Sequence, residues 1–263
     1  MNTYRILFLG DIVGRGARKA VKETLPYLKE TYQPLFVIVN GENAAGGKGI
    51  TSSIASELLA VGVDAITLGN HAFDKDEIIP FLSEDHPIVR PINMPFGTPG
   101  KGIVQVTKDG IELHVINLCG QVFMDPYGYP FQSIDKVLEE LESPHIFVDF
   151  HAEATSEKCG IGWHLDGRVS AVVGTHTHVT TADERVLPQG TAHISDVGMS
   201  GPLNSIVGVD IETVLYKFRT HLPKKGEPAK GPIRISGVVI DIDRGTGRAI
   251  SIERIRHDYS ESY

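Results

Sequence analysis

Five short apolar runs in this sequence each stop at residues able to bind a metal ion. Asp11 follows Arg5–Leu9, Glu42 and Asn43 follow Leu35–Val39, and Asn70 and His71 follow Val63–Leu68. His151 follows Ile146–Phe150, and His176 and His178 follow Val169–Val173. The set holds two carboxylates, two carboxamides and four imidazoles, all oxygen or nitrogen donors. Such donors suit borderline first-row ions (iron, manganese, zinc, cobalt) better than calcium or copper(I). Eight groups exceed one tetrahedral shell but fit two ions about 3.5–4 Å apart. In an extended segment His176 and His178 would leave the same face. Glu42-Asn43 and Asn70-His71 would diverge on a strand and can converge only on a turn, and each pair follows a glycine, Gly41 or Gly69. Asp11 and Glu42 set about −2 against about +4 from two divalent ions, and a bridging hydroxide leaves about +1, matched to a phosphodiester monoanion.

The elements that must position these groups follow from periodicity. Arg5–Leu9, Leu35–Val39 and Val63–Leu68 read as buried strands, alternating with helices over Arg15–Tyr32 and Thr51–Leu59, the latter capped by Thr51 or Ser52. This order implies a sheet whose first strands are parallel, and in open α/β sheets ligands bind beyond the carboxyl ends of strands. Lys108-Asp109-Gly110 predicts a hairpin, Ser133–Leu141 a helix, and Val238–Asp243 with Ala249–Ile255 a closing hairpin across Arg244-Gly245-Thr246-Gly247. Leu222–Pro232, rich in Lys, Gly and Pro, is expected to be a mobile loop. A single domain over residues 1–263 is expected, with a small substructure at about 202–232 that is also a candidate contact surface of a homo-oligomer.

At 263 residues and a formal charge of −8, the chain can bury a core but lacks the basic face of a general nucleic-acid binder. No stable nucleic-acid complex is therefore expected. Cys119 and Cys159 stand in unrelated contexts, so C-x-x-C redox chemistry and Cys-rich zinc sites are excluded, and both read as ordinary thiols. No signal-peptide pattern and no run of about 18 apolar residues occurs, so a cytoplasmic protein without membrane contact is expected. Gly41 and Gly46 have a phosphate-loop separation, but Gly47 stands where lysine is required, and Gly10, Gly14 and Gly16 are misspaced for a dinucleotide fingerprint. His86, His114, His145, His164, His193, His221 and His257 sit at no strand-end cluster and read as structural or solvated; His193 lies near Asp196 and the Gly198–Gly201 loop, which could line a pocket or merely turn the chain.

Each site residue alone has an ordinary reading, as a cap, a turn or a packed histidine. Together, Gly10-Asp11, Gly41-Glu42-Asn43, Gly69-Asn70-His71, Asp149-Phe150-His151 and Gly174-Thr175-His176-Thr177-His178 resemble, in order, the motifs of calcineurin-like metallophosphoesterases. The longer strings GDIVGRGAR, NGENAAGGKGIT, DFHAEATSEK, GTHTHVTTAD and ISDVGMSGP resemble the YmdB family of bacterial phosphodiesterases. The resemblance covers Ile6 to about Ile240. It implies a layered α/β metallophosphoesterase fold, with mixed sheets flanked by helices and the site at the carboxyl ends of strands. It implies two metal ions, iron or manganese with zinc also accommodated. Asp11, Glu42, Asn43 and His178 would hold one; Glu42 would bridge to the second, completed by Asn70, His151 and His176. His71 would act as general acid while a bridging hydroxide attacks phosphorus, and the substrates would be 2′,3′- or 3′,5′-cyclic nucleotides. The sequence departs from the wider superfamily at Val13, where a histidine is usual, and at Glu42, where the bridge is usually aspartate; Asn43 would replace the missing imidazole. A regulatory nucleotide sensor with incidental turnover is the alternative, and a short-RNA nuclease is a third reading that the acidic balance weakens.

Overall fold

Alternate residues along the central strands face two different cores. The computed structural model describes residues 2–125 and 127–259; of the expected 1–263 span, Met1, Pro126 and residues 260–263 lie outside the described residues. In chain order the elements are β1 (Thr3–Leu9), α1 (Gly14–Tyr32), β2 (Phe36–Asn40), α2 (Ser52–Ala60), β3 (Ala65–Thr67), α3 (Ile78–Ser83) and β4 (Ile88–Val89). There follow β5 (Ile103–Lys108), β6 (Ile111–Cys119), α4 (Pro130–Glu139), β7 (Ile146–His151), α5 (Thr155–His164) and β8 (Ala171–Thr175). The chain continues with β9 (Arg185–Val186), β10 (Ala192–Ile194), β11 (Gly201–Pro202), α6 (Ile211–Thr220), β12 (Ile233–Asp243) and β13 (Ala249–Tyr259).

Two mixed sheets result. In the first, β1, β2, β3 and β4 run parallel, and β12 pairs antiparallel with β1, β11 and β13. The second has the order β5-β6-β7-β8-β10-β9, parallel from β6 through β10. Leu7, Leu9, Val37 and Val39 turn outward onto the apolar stripe of α1 (Ala17, Val21, Leu25, Leu28) and onto α2. Ile6, Phe8, Phe36 and Ile38 turn inward and meet Leu113, Val115, Phe147, Ala171 and Val173 of the second sheet. Ile116, Val148, Phe150 and Val172 face outward under α4 and α5. Helices thus cover the outer face of each of two stacked sheets, the layered α/β arrangement that the pattern implies.

Several expected signals act locally as anticipated. Thr51 caps α2, its side chain accepting from the Ile54 amide at 3.2 Å. The β5–β6 hairpin turns through Asp109 and Gly110, both at positive φ (47° and 75°). The closing hairpin is longer than its apolar core, with 11 residues in each strand. Residues 226–229 of the lysine-rich loop are tied to α6's entry: Asp210 N–H donates to Glu227 O and Ala229 N–H to Gly208 O.

Candidate metal centre

Where the strands end, the layer between the sheets turns polar. The inward positions that follow Ile38, Ala65, Val115, Phe147 and Val173 are Asn40, Thr67, Asn117, Asp149 and Thr175, all buried. Asp149 gathers them: its carboxylate accepts from Asn40 Nδ2 (2.9 Å) and Thr67 Oγ1 on the first sheet and from Thr175 Oγ1 (2.7 Å) on the second. Burial pushes the Asp149 carboxyl up to about 6, with His151 and these donors opposing. The candidate ligands stand one step beyond this layer.

His151 is the hub. Its Nδ1 lies 2.8 Å from Thr175 Oγ1, whose own hydrogen goes to Asp149. The hydroxyl therefore accepts from Nδ1–H, which turns the Nε2 lone pair toward the site. Around that Nε2 stand Glu42 Oε1 at 3.0 Å, Asn70 Oδ1 at 3.1 Å and His176 Nδ1 at 3.0 Å. His176 Nε2 is held by Glu153 Oε2 at 3.2 Å, so its Nδ1 also offers a lone pair. Four acceptors thus converge, and a positive charge, an extra proton or a metal ion, is what they require. One ligand atom from each of Glu42, His151 and His176 lies within 4.8 Å of the others.

The electrostatics agree. Burial pulls His151 down, but Glu42, Asp11 and Asp149 outweigh it and lift the imidazole to about 9. Burial raises Glu42, but His151 and His71 overcome it and hold the carboxyl at about 2. His176 falls to about 3, through burial and then the neighbouring His151. Burial raises Asp11, with His178 and His151 opposing. Asp11 Oδ1 is buried without a hydrogen-bond partner, 3.9 Å from His151 Nδ1, while Oδ2 accepts from the His176 amide at 3.3 Å. An orphaned buried carboxylate oxygen beside a nest of acceptors fits divalent cations.

Asn43 and His178 form the other half. Asn43 Nδ2 donates to Gly47 O at 3.0 Å, which turns Oδ1 toward His178 Nε2 at 3.2 Å; His178 Nδ1 contacts Val207 O at 2.9 Å. His71 stands apart from the acceptor nest. Its amide donates to Glu42 Oε2 (3.1 Å), its Nδ1 pairs with Asp74 Oδ2 (2.9 Å), and its side chain lines an open cleft of about 860 Å³. The structure therefore brings Asp11, Glu42, Asn43, Asn70, His71, His151, His176 and His178 to one strand-end region.

The shared-face reading of His176 and His178 is corrected. Both have positive φ, 99° and 65°, so the segment is not extended, and the rings part to opposite halves of the cluster. Non-glycine residues held in this region are a local strain that the surrounding hydrogen bonds must sustain. Gly41 and Gly69, by contrast, have ordinary φ and serve by close approach. A Cβ on Gly69 would collide with both the Glu42 carboxylate and the His151 ring. The Gly198–Gly201 loop turns rather than lines the cleft: it packs against Gly10 and exchanges backbone hydrogen bonds between Ser200, Asp11 and Val13.

Sequence reasoning missed the residues that hold the candidate ligands. Asp149 is a lone acid in an apolar strand, and Asp74 lies three residues after His71, both visible cues. Glu153, and Asp196 with its buried partner Lys158 at 2.5 Å, gave no such cue; Asp196 anchors the intervening Thr177 through its amide (3.1 Å) and hydroxyl (2.8 Å).

This sandwich, with its nest of metal-type donors at the strand ends, is a phosphoesterase architecture. It shares its fold with a Staphylococcus aureus structure described as a "putative 5′-nucleotidase", solved in complex with alpha-ketoglutarate (14% identity, TM-score 0.63, 96% of this chain and 54% of that one). The chain belongs to the YmdB-like protein family, whose sequence model matches residues 7–255. It is 55% identical over 253 residues to a 2′,3′-cyclic-nucleotide 2′-phosphodiesterase of Bacillus subtilis (strain 168), covering 95% of this chain and 96% of the relative. A Mycoplasma pneumoniae structure described as a novel phosphatase superposes with a TM-score of 0.93 at 34% identity, covering 99% of this chain and 95% of that one.

Proposed function

We propose that the chain hydrolyses 2′,3′-cyclic nucleotides at the 2′ ester bond, using two divalent metal ions. The observation that carries this reading is the pairing of an acceptor nest with an imidazole, His71, beside the same cleft and outside the nest. Asp11, Glu42, Asn43 and His178 would hold one ion and Glu42, Asn70, His151 and His176 the other, with manganese or iron best matched to a donor set lacking sulfur. When bound, the ions would polarise the phosphate and make water a nucleophile near neutral pH.

The chain's own groups supply the rest. Asp74 accepts from His71 Nδ1–H, which fixes the tautomer, and a proton carried on Nε2 then faces the cleft. A 2′-alkoxide leaves poorly, and the proton on Nε2 passes to that oxygen as the P–O bond breaks, while water contributes the oxygen gained by phosphorus. Lys48, Lys75, Lys217, Lys224 and Lys225 line the cleft and give a chain of net charge −8 a local cationic rim for an anionic ester. Val13, Val207 and Val209 form an apolar wall against which a base can pack.

Elemental analysis of the freshly purified chain, paired with a turnover screen of 2′,3′-cyclic, 3′,5′-cyclic and linear diesters, tests this. At least two metal equivalents, and preferred release of the 3′-nucleotide from a 2′,3′-cyclic substrate, are expected. A metal-loaded chain that turns over no diester refutes it.

A further inference from the structure

A second cluster lies on the other side of the second sheet. In β10, Ala192 and Ile194 face the core between the sheets, so His193 points outward onto α5. It is 4% exposed, and both ring nitrogens are buried without a hydrogen-bond partner. Buried imidazoles are ordinarily hydrogen-bonded at one nitrogen at least; the Val172 backbone lies beside this ring without a well-formed bond to it, so the ring is able to take a ligand. Gly162 admits the ring to α5, since a Cβ there would stand 2.7 Å from His193 Nδ1. One turn earlier on the same helix face is Cys159, and Asp183 completes the group. One ligand atom from each of Cys159, Asp183 and His193 lies within 4.8 Å of the others.

We propose that Cys159, Asp183 and His193 form a separate binding site for zinc or a similar thiolate-accepting divalent ion. Zinc takes Cys, His and Asp together at bond lengths of about 2.0–2.3 Å, so the three atoms need to close by roughly 1 Å. The carboxylate is already aimed: Asp183 Oδ1 accepts from Thr181 Oγ1 (2.6 Å) and the Ser195 amide (3.1 Å), and Oδ2 from Ser195 Oγ (2.5 Å). These bonds leave one lone pair of Oδ2 unused and supply the outer support usual for a ligating carboxylate. A thiolate and a carboxylate neutralise a divalent ion, so His193 enters as a neutral ligand. Arg185, the nearby cation, has its guanidinium 5.1 Å from the centre of the Trp163 ring. Cys159 and Asp183 are only partly buried, which places the fourth coordination position toward water.

The proposal does not rest on the phosphodiesterase reading, because the candidate catalytic donors contain no sulfur. Cobalt(II) added to the full chain after chelation should give a near-ultraviolet thiolate-to-cobalt charge-transfer band. Cys159→Ser should abolish the band and remove one bound metal equivalent, and His193→Gln should do the same, both with diester turnover unchanged. A wild-type chain that binds cobalt without such a band overturns the proposal. So does a band that survives Cys159→Ser.

Discussion

Replacing His71 by alanine separates proton donation from metal holding, because its ring touches Asp74 and none of the acceptors around His151. Only the backbone amide of His71 reaches Glu42, and alanine keeps that bond. General acid catalysis is worth roughly 10²–10⁴ in rate, or about 2.7–5.4 kcal/mol at 1.36 kcal/mol per tenfold. The side chain is 23% exposed on an open cleft, where water can deliver some of the missing proton, so the lower half applies and kcat on a 2′,3′-cyclic nucleotide should fall about 10²–10³-fold. A nitrophenyl phosphodiester is the control: nitrophenolate departs unprotonated, so the same variant should lose less than about tenfold on it. Asp74→Asn keeps an oxygen for Nδ1–H but loses the charge; with Asp74 37% exposed, a loss of about three- to tenfold is expected. The assay is steady-state turnover of both esters at fixed metal loading, with metal content measured in parallel. Equal losses on the two esters, or metal depletion in His71→Ala, would refute the assignment.

Three further outcomes follow from the supporting residues. Thr175→Val strands His151 Nδ1 and an Asp149 oxygen, so metal affinity should fall about 10–100-fold and stability by about 1–3 kcal/mol, measured by metal titration and urea unfolding. Gly69→Ala drives a methyl group into Glu42 and His151; elemental analysis should show lost metal, and unfolding should show a cost of about 1–3 kcal/mol. Lys158→Met leaves the buried Asp196 carboxylate without its cation, and urea unfolding should show a loss of about 3–5 kcal/mol.

The candidate ligands could be picked out as a group because each lies within five residues of the end of an apolar run, and a parallel α/β sheet sends such positions to one edge. Helix and strand placement came from the same periodicity: Thr51 caps where expected, and Asp109-Gly110 turns where expected. Asp74 and Asp149 left cues as residue types, but most positioning contacts were not legible, since their partners are remote in sequence. Asp149 meets Asn40 across 109 residues and only because two sheets face each other. The path of the chain through His176 and His178 was misread for a related reason. Period-two spacing assumes extended backbone, whereas Asp196 and Val207, both distant in sequence, hold this segment through Thr177 and His178, and both histidines take positive φ.

The candidate ligands are drawn from both halves of the molecule: Asp11, Glu42, Asn43 and Asn70 follow strands of the first sheet, while in the second His151 ends β7 and His176 and His178 follow β8. Cations seated among them would act as rivets along one open seam of the sandwich, joining segments more than a hundred residues apart. Chelation should then loosen that seam selectively. Amide hydrogens of Gly41–Ala44 and Thr175–His178 would exchange faster, while those in the middle of β1 and β7 keep their protection.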